Sequence, residues 1–331
     1  MSDRQTGLGL IAVPSKQVLE GGATSLNLAP WRTRAWLIRA GVLFGFGAGL
    51  VAILLGWAGA GVVLGLLTSI GSGHLLAAAL LTLTVTVVHT WRLRAVLGAT
   101  GYHLRQRRAF DLVMAAWPIS SFTPSKSGDL IKAYYLRREV PPAVTTGCLL
   151  AERALDLGVV AALSLAGSLF FDRLAITLTS AAVLACILAF FALAPRAAHL
   201  PLRPAWHERV GRLLASTRSL LCHPGLLGLA LGLTLANWLI TILVGAILFD
   251  AVGASVPLLY TMAALPPALL AGALPFTTAG LGTRDSALIV LFNGYATAAQ
   301  SLAVGLLYAF FFRWLLSMLG LPFLRRVARG G

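Results

Sequence analysis

The sequence predicts an all-α polytopic membrane protein with six full spans, two re-entrant helical hairpins and an internal inverted repeat. Three observations predict it. Of 331 residues, 58% are hydrophobic and 11% charged, against about 25% charged in soluble domains. The arginines cluster beside long apolar runs. Two apolar stretches are also interrupted by the same chemistry, Pro124-Ser-Lys-Ser-Gly128-Asp-Leu-Ile-Lys132 and Pro275-Phe-Thr-Thr-Ala-Gly280-Leu-Gly282-Thr-Arg284-Asp285.

Residues 1–34 read as a cytoplasmic tail, because the apolar run that follows is longer than the core of a cleavable signal. Span one covers 36–57, close to the roughly 20 residues a hydrocarbon core demands. Residues 59–73 have no charge and many glycines, which suits an outer connection with a short interfacial helix. Span two, 74–91, returns. The loop 92–108 holds Arg92, Arg94, Arg105, Arg107 and Arg108 and is placed in the cytoplasm by the positive-inside rule. Residues 109–122 are too short to cross and run into the first break. Residues 128–138 form a short return helix, so the two pieces make a hairpin entering from the cytoplasm.

Span three, 142–170, opens at Pro141-Pro142 and ends in the outer turn Phe171-Asp172-Arg173. Span four covers 174–194. Residues 195–223 are basic and contain an amphipathic helix at 206–221. Span five, 224–249, leads to a loop at 250–255. Residues 256–273 run into the second break, and 284–293 return to the turn Asn293-Gly294. Span six, 299–322, ends at Arg325, Arg326 and Arg329. Of the 26 Lys and Arg, Arg173 alone falls in an expected outer loop.

This threading gives a transmembrane domain at 35–325, with repeat one at about 35–171, repeat two at about 172–323, and a basic cytoplasmic tail at 324–331. The order span, span, hairpin, span occurs twice with opposite starting sides. Paired interruptions in the two halves of a membrane chain point to a transport site at the bilayer midplane. The net charge of +15 follows the edges of the spans, so it argues for anionic lipid headgroups and against nucleic acid. Cys148, Cys186 and Cys222 read as packing residues rather than a disulfide framework.

The return helices start near the midplane and face each other, so each offers unpaired N–H groups and a positive dipole end. Ser125, Ser127, Thr278 and Thr283 are candidate caps. Gly128, Gly280 and Gly282 let a ligand approach the backbone. Lys126, Lys132 and Arg284 add charge, which makes a phosphate or another anionic headgroup the natural ligand. In the bland alternative Lys132 snorkels and Asp129 and Asp285 only cap their own helices. Glu152, Arg153 and Asp156 share one turn of span three, a costly placement that signals function or an ion-pair network tying the span to a hairpin, for example Glu152 to Lys132. Arg313 in span six is expected to face Asp285 or a ligand. Asn237 and Trp238 either line the same cavity or, for Asn237, supply a helix–helix hydrogen bond. No HExxH, paired-Cys, GxSxG or P-loop pattern occurs, so neither a metal nor a cofactor is expected and no catalytic residue is assigned.

The strings FTPSKSGDLIKAYYLRR, AERALDLGVV and LPFTTAGLGTRDSAL resemble the transmembrane domain of lysylphosphatidylglycerol synthase from about residue 35 to 325. The family pattern is roughly P-x-x-x-G-E/D-x-x-R, V-E-R-x-x-D and P-x-x-x-G-G-x-G-x-R-E. Here Lys132 replaces the common arginine, Asp129 and Asp285 replace glutamate, and Ala279 replaces glycine. The resemblance implies a lipid flippase of the bacterial inner membrane with cytoplasmic termini. The implied cargo is an anionic or zwitterionic lipid: a phospholipid, a polyisoprenyl phosphate or a related lipid. The soluble aminoacyl-transferase domain of the best-understood members is not expected, so a separately encoded lipid-modifying enzyme is an expected partner beside membrane lipids. The alternatives are a membrane-embedded glycosyl- or headgroup transferase, with Glu152 or Asp156 as general base, and an accessory subunit of a lipid pathway such as hopanoid synthesis. The predicted mechanism is headgroup translocation, with one repeat rocking against the other.

Overall fold

A computed structural model describes residues 34–123, 128–171, 174–194, 204–272 and 280–329. Every regular element among the described residues is helical. Helix α1 (Arg34–Ala58) turns by 92° into α2 (Ala60–Thr68) at Gly59, whose φ of +85° suits a residue without Cβ. Helices α3 (Ser72–Ala99), α4 (Gln106–Phe122), α5 (Ile131–Leu136), α6 (Pro142–Ser168) and α7 (Leu174–Leu193) follow. Next come α8 (Pro204–Cys222), α9 (Pro224–Ala251), α10 (Leu258–Ala271), α11 (Thr283–Leu291) and α12 (Ala298–Ala309). A π-helical turn, Phe310–Leu315, joins α12 to α13 (Leu316–Arg329).

Four helices are long and apolar enough to cross a membrane: α3, α7, α9 and the continuous rod Ala298–Val327; the bent pair α1–α2 makes five if taken as one span. Helix α6 has 27 residues, about 40 Å of helix, but Glu152, Arg153 and Asp156 interrupt its apolar run. Large side chains such as Phe46, Ile53, Leu80, Leu178, Leu188 and Val290 lie exposed on the outside, as lipid-facing residues do. The chain is thus a polytopic helical membrane protein.

Span two runs further than its sequence boundary. Nothing between His89 and Gly98 breaks a helix, and α3 continues to Ala99. Arg92 is therefore not a cytoplasmic loop residue but a fully buried one. The return helix expected at 128–138 is also shorter than predicted. A 3₁₀ turn at 128–130 leads into α5, which has only six residues. With so few aligned peptides, it adds little dipole at the first break.

Both arriving helices contain proline near their ends, Pro118 in α4 and Pro266 and Pro267 in α10. At both breaks the returning chain crosses the tip of the helix that brought it in. A Cβ on Gly128 would stand 2.6 Å from the Cα and N of Ser120, and one on Gly280 would stand 2.8 Å from the Cα of Gly272. Only glycine permits either approach. The linking residues Pro124, Ser125, Lys126 and Ser127, together with Pro275, Thr278 and Ala279, lie outside the described residues, as do Asp172 and Arg173.

The helices pack in exchanged pairs. Helix α3 packs on α9, α4 on α13, α10 on α6, and α12 on α1. The α4–α13 and α6–α10 seams are built alike from small residues and hydroxyls, which let membrane helices approach closely. Ser317 Oγ and Ser121 Oγ lie 2.8 Å apart in the α4–α13 seam. In the α6–α10 seam Ser164 Oγ donates to the Ala263 carbonyl at 2.7 Å, and a Cβ on Gly167 would come within 2.8 Å of Ala263.

There are two apolar cores. One gathers Leu93, Val96, Leu112, Val144, Cys148, Leu155 and Leu220. The other gathers Val85, Val244, Leu248, Tyr260, Leu265, Phe292 and Leu302. Along α3, His89 and Arg92 fall between the two sets, and along α9 Thr234, Asn237 and Thr241 do. The polar layer is thus held between apolar layers.

Candidate functional site

The first cluster is organised by Arg92. Its guanidinium is buried, and it donates from Nη1 to Asp156 Oδ1 at 2.6 Å and from Nη2 to Asp156 Oδ2 at 3.3 Å. Its Nε faces Glu152 Oε1 at 3.6 Å, and Nη1 also reaches Thr234 Oγ1 at 3.4 Å. One side chain thereby ties α3 to α6 and α9. Planar guanidinium suits this role because its fork matches a carboxylate. Trp238 Nε1 donates to Asp156 Oδ1 at 3.3 Å.

From Asp156 the charges alternate toward the first break. Arg153 Nη1 donates to Asp156 Oδ2 at 3.3 Å, and its Nη2 pairs with Asp129 Oδ2. Asp129 Oδ1 accepts from Ser120 Oγ at 2.9 Å and faces Lys132 Nζ at 3.7 Å. The series Arg92, Asp156, Arg153, Asp129, Lys132 crosses from α3 through α6 to the hairpin. A network tying span three to a hairpin was one sequence reading, but its contacts differ from the example. Glu152 meets Arg92, and Lys132 meets Asp129.

The second break closes on itself. Arg284 donates to Asp285 Oδ1 from Nη2 at 2.6 Å and from Nε at 3.0 Å, and Nη2 also donates to the Gly305 carbonyl at 2.8 Å. Asp285 Oδ2 accepts the Gly282 N–H at 2.8 Å, so Asp285 does cap its own helix. The Asp129 oxygens serve Ser120, Arg153 and Lys132. Gly282 has a φ of +81°, which lets the chain enter α11.

Arg313 stands apart. It lies in the π-helical turn, and such turns recur at functional sites. Among the described residues its Nη1 reaches only the Ser120 carbonyl, at 3.5 Å. Asp285 was one expected partner, but Arg284 occupies it. Among the described residues Arg92, Lys132, Arg153 and Arg284 each have a carboxylate, whereas Arg313 has none.

These groups surround one cavity of about 280 Å³, lined by His89, Trp117, Arg153, Asp156, Asn237, Trp238, Arg284, Tyr308, Phe312 and Arg313, among others. A narrow recess beside it reaches Ser120, Asp129 and Lys132. Arg153, Asp156, Arg284 and Arg313 are therefore brought to the cavity itself, and Asp129 and Lys132 to its recess. Glu152 and Asp285 stand behind them, holding arginines. The sequence reading missed Arg92 as a site residue. Its signal was present: Thr82, Thr86, His89 and Thr90 form a polar stripe that Arg92 continues at helical spacing.

Residues 37–320 match the protein family described as the lysylphosphatidylglycerol synthase TM region. No curated protein matches the chain.

Proposed function

The chain belongs to the lysylphosphatidylglycerol synthase TM-region family, and from that premise we propose that it is a flippase for an anionic or zwitterionic lipid of the bacterial inner membrane. The single observation that carries this reading is Arg313, a cation at a membrane-embedded cavity with no carboxylate of its own among the described residues. An uncompensated charge there is expensive, and the headgroup phosphate supplies its partner while the lipid tail stays in the bilayer. Arg153, Arg284 and Lys132 strengthen the attraction; Gly128, Gly280 and Gly282 shape the two breaks.

The exchanged packing of α4 on α13 and α10 on α6 supports an inverted repeat, since a pseudo-two-fold axis would pair each hairpin with the last span of the other half. On this reading α1–α2, α3, α6, α7, α9 and the α12–α13 rod are the six spans, and α4–α5 and α10–α11 are the hairpins. Both termini then lie in the cytoplasm. The transferase alternative needs Glu152 or Asp156 as a base, but Arg92 already engages both, which favours the binding reading.

The test is transport by the purified chain in vesicles containing fluorescent phospholipid analogues. The wild type accelerates the exposure of inner-leaflet analogue to an impermeant quencher added outside, and Arg313→Ala does not. Equal rates for wild type and empty vesicles would end the proposal.

A further inference from the structure

We propose that His89 is a proton-binding site coupled to the cavity: an anionic headgroup enters together with one proton, and the pair leaves together. This rests on the lipid-transport reading above and supplies it with a source of energy. His89 stands in the wall shared by the cavity and its recess, and it is the one histidine lining either among the described residues. Imidazole is the side chain whose ordinary charge change falls between pH 5 and 8.

A hydrogen bond fixes the state of the ring. Arg92 Nη2 lies 3.2 Å from His89 Nδ1, and a guanidinium can only donate. Nδ1 is therefore the acceptor, and the imidazole is neutral with its proton on Nε2. A second proton goes to Nδ1, turns that acceptor into a donor and breaks the contact with Arg92. Both ring nitrogens are then donors, for which an anion is the strongest partner. Arg92 also grips Asp156 and Glu152, so the proton acts on the same chain of charges that reaches Asp129.

The charges around the ring make an anion the trigger. Its own helix brings Arg92. Helix α6 brings Glu152, Arg153 and Asp156, the last within electrostatic reach of His89. The first hairpin brings Asp129 and Lys132 to the recess, and the π-helical turn brings Arg313. Helix α4 brings Trp117, in a T-shaped pair with the imidazole at 6.0 Å, and α9 brings the uncharged Asn237 and Trp238. Helix α8 meets α3 near its end, where Ser219 donates to the Ala99 carbonyl. Tyr308 and Arg284, the latter held by Asp285, also line the cavity.

Among the described residues four cations, Arg92, Lys132, Arg153 and Arg313, thus face three carboxylates, Asp129, Glu152 and Asp156. One positive charge is left over. An anionic phosphate cancels it and makes room for a positive charge on His89, so anion and proton favour each other's binding. Such coupling is reciprocal and typically about 5–150-fold. A phosphodiester and a proton are a neutral pair, which crosses without carrying net charge through the bilayer centre, where charge is costly. The proton is taken from water on the side of entry and returned to water on the other.

The test uses the full chain in vesicles with a trace of fluorescent phosphatidylglycerol, whose phosphodiester does not titrate near neutral pH. A passive flippase equalises the leaflets whatever the pH gradient. One proton per headgroup should instead enrich the lipid on the alkaline side, up to about tenfold per pH unit, within a time over which protein-free vesicles stay unchanged. Reversing the gradient should reverse the enrichment, and a membrane potential alone should produce none. In detergent, calorimetry with short-chain phosphatidylglycerol in buffers of different ionisation heat should show uptake of up to about one proton on binding, with affinity rising about tenfold from pH 8 to pH 6. His89→Gln and His89→Asn, which keep an acceptor for Arg92 but do not titrate, should lose both the enrichment and the uptake, with melting temperature as the check on folding. Flipping by the wild type that ignores the gradient would overturn the inference and leave the transport reading standing, as would proton uptake that survives both variants. Proton uptake that depends on His89, without flipping, would refute transport and leave the proton-coupled site standing.

Discussion

Arg92 and Asp156 are joined by a two-pronged ion pair, Nη1–Oδ1 at 2.6 Å and Nη2–Oδ2 at 3.3 Å, although 64 residues separate them. Removing one partner strands the other charge inside the protein, at a cost of about 3–5 kcal/mol. Arg92→Ala and Asp156→Ala should each lower thermal stability in detergent by that order. The double variant Arg92→Met with Asp156→Leu should cost less than the sum of the two single losses, the remainder coming from Glu152, which also loses Arg92. Additive losses in the double variant would show that the pair is not coupled.

Glu152→Ala and Arg284→Ala are expected to abolish transport while the protein still inserts into membranes. Glu152 orients Arg92 from behind, and Arg284 holds the tip of the second hairpin through Asp285 and the Gly305 carbonyl. Membrane fractionation checks insertion and vesicle flipping checks transport. Wild-type flipping rates in both variants would contradict the assignment.

Arg313→Ala should behave differently from Arg92→Ala. Among the described residues its guanidinium makes one long contact, to the Ser120 carbonyl, so stability should change by less than about 1 kcal/mol. Lipid retention should fall by about tenfold or more, since the lost contact is to a charged phosphate. Arg313→Lys should restore part of the binding, as a point charge without the fork. Comparing melting temperature with bound lipid by mass spectrometry separates the two effects.

Gly128→Ala and Gly280→Ala should both be severe, because the added methyl meets backbone that cannot step aside. Gly280 also has a φ of +73°, so its variant is strained twice. Gly232 in α9 has open space around it, and Gly232→Ala should be neutral or stabilising by about 0.5–1 kcal/mol. Expression and melting curves of the three variants decide this; a harmless Gly128→Ala would mean that the hairpin tip is looser than the packing indicates.

Hydropathy located the apolar helices, because lipid contact demands long uncharged runs. The breaks were legible because glycine beside a carboxylate is conspicuous inside apolar sequence. Partners were not. Arg92 sits beside Arg94 and Arg105, which look like an ordinary basic edge, and only the continuation of α3 turns it inward. Glu152 was matched in the sequence with Lys132, yet meets Arg92 from another helix. Arg284 pairs with the very next residue, a contact that helical spacing rules do not suggest. Long-range pairing depends on which helices pack together, and the exchange of α4 with α13 and α10 with α6 is a tertiary property.

That exchange decides which parts of the molecule can travel together. The first hairpin is fastened to the last helix of the chain, and the second hairpin to α6. On the proposed transport reading, each moving body would draw on both halves of the sequence. The Arg153–Asp129 pair would then act as a latch between them, with Arg153 also at the cavity wall. A phosphate competing with Asp129 for Arg153 would loosen it, coupling occupancy to motion. Cysteines replacing Ser121 and Ser317 would lock only the inside of one body and should leave flipping intact. A cross-link between the 128–130 turn and α6 should stop it.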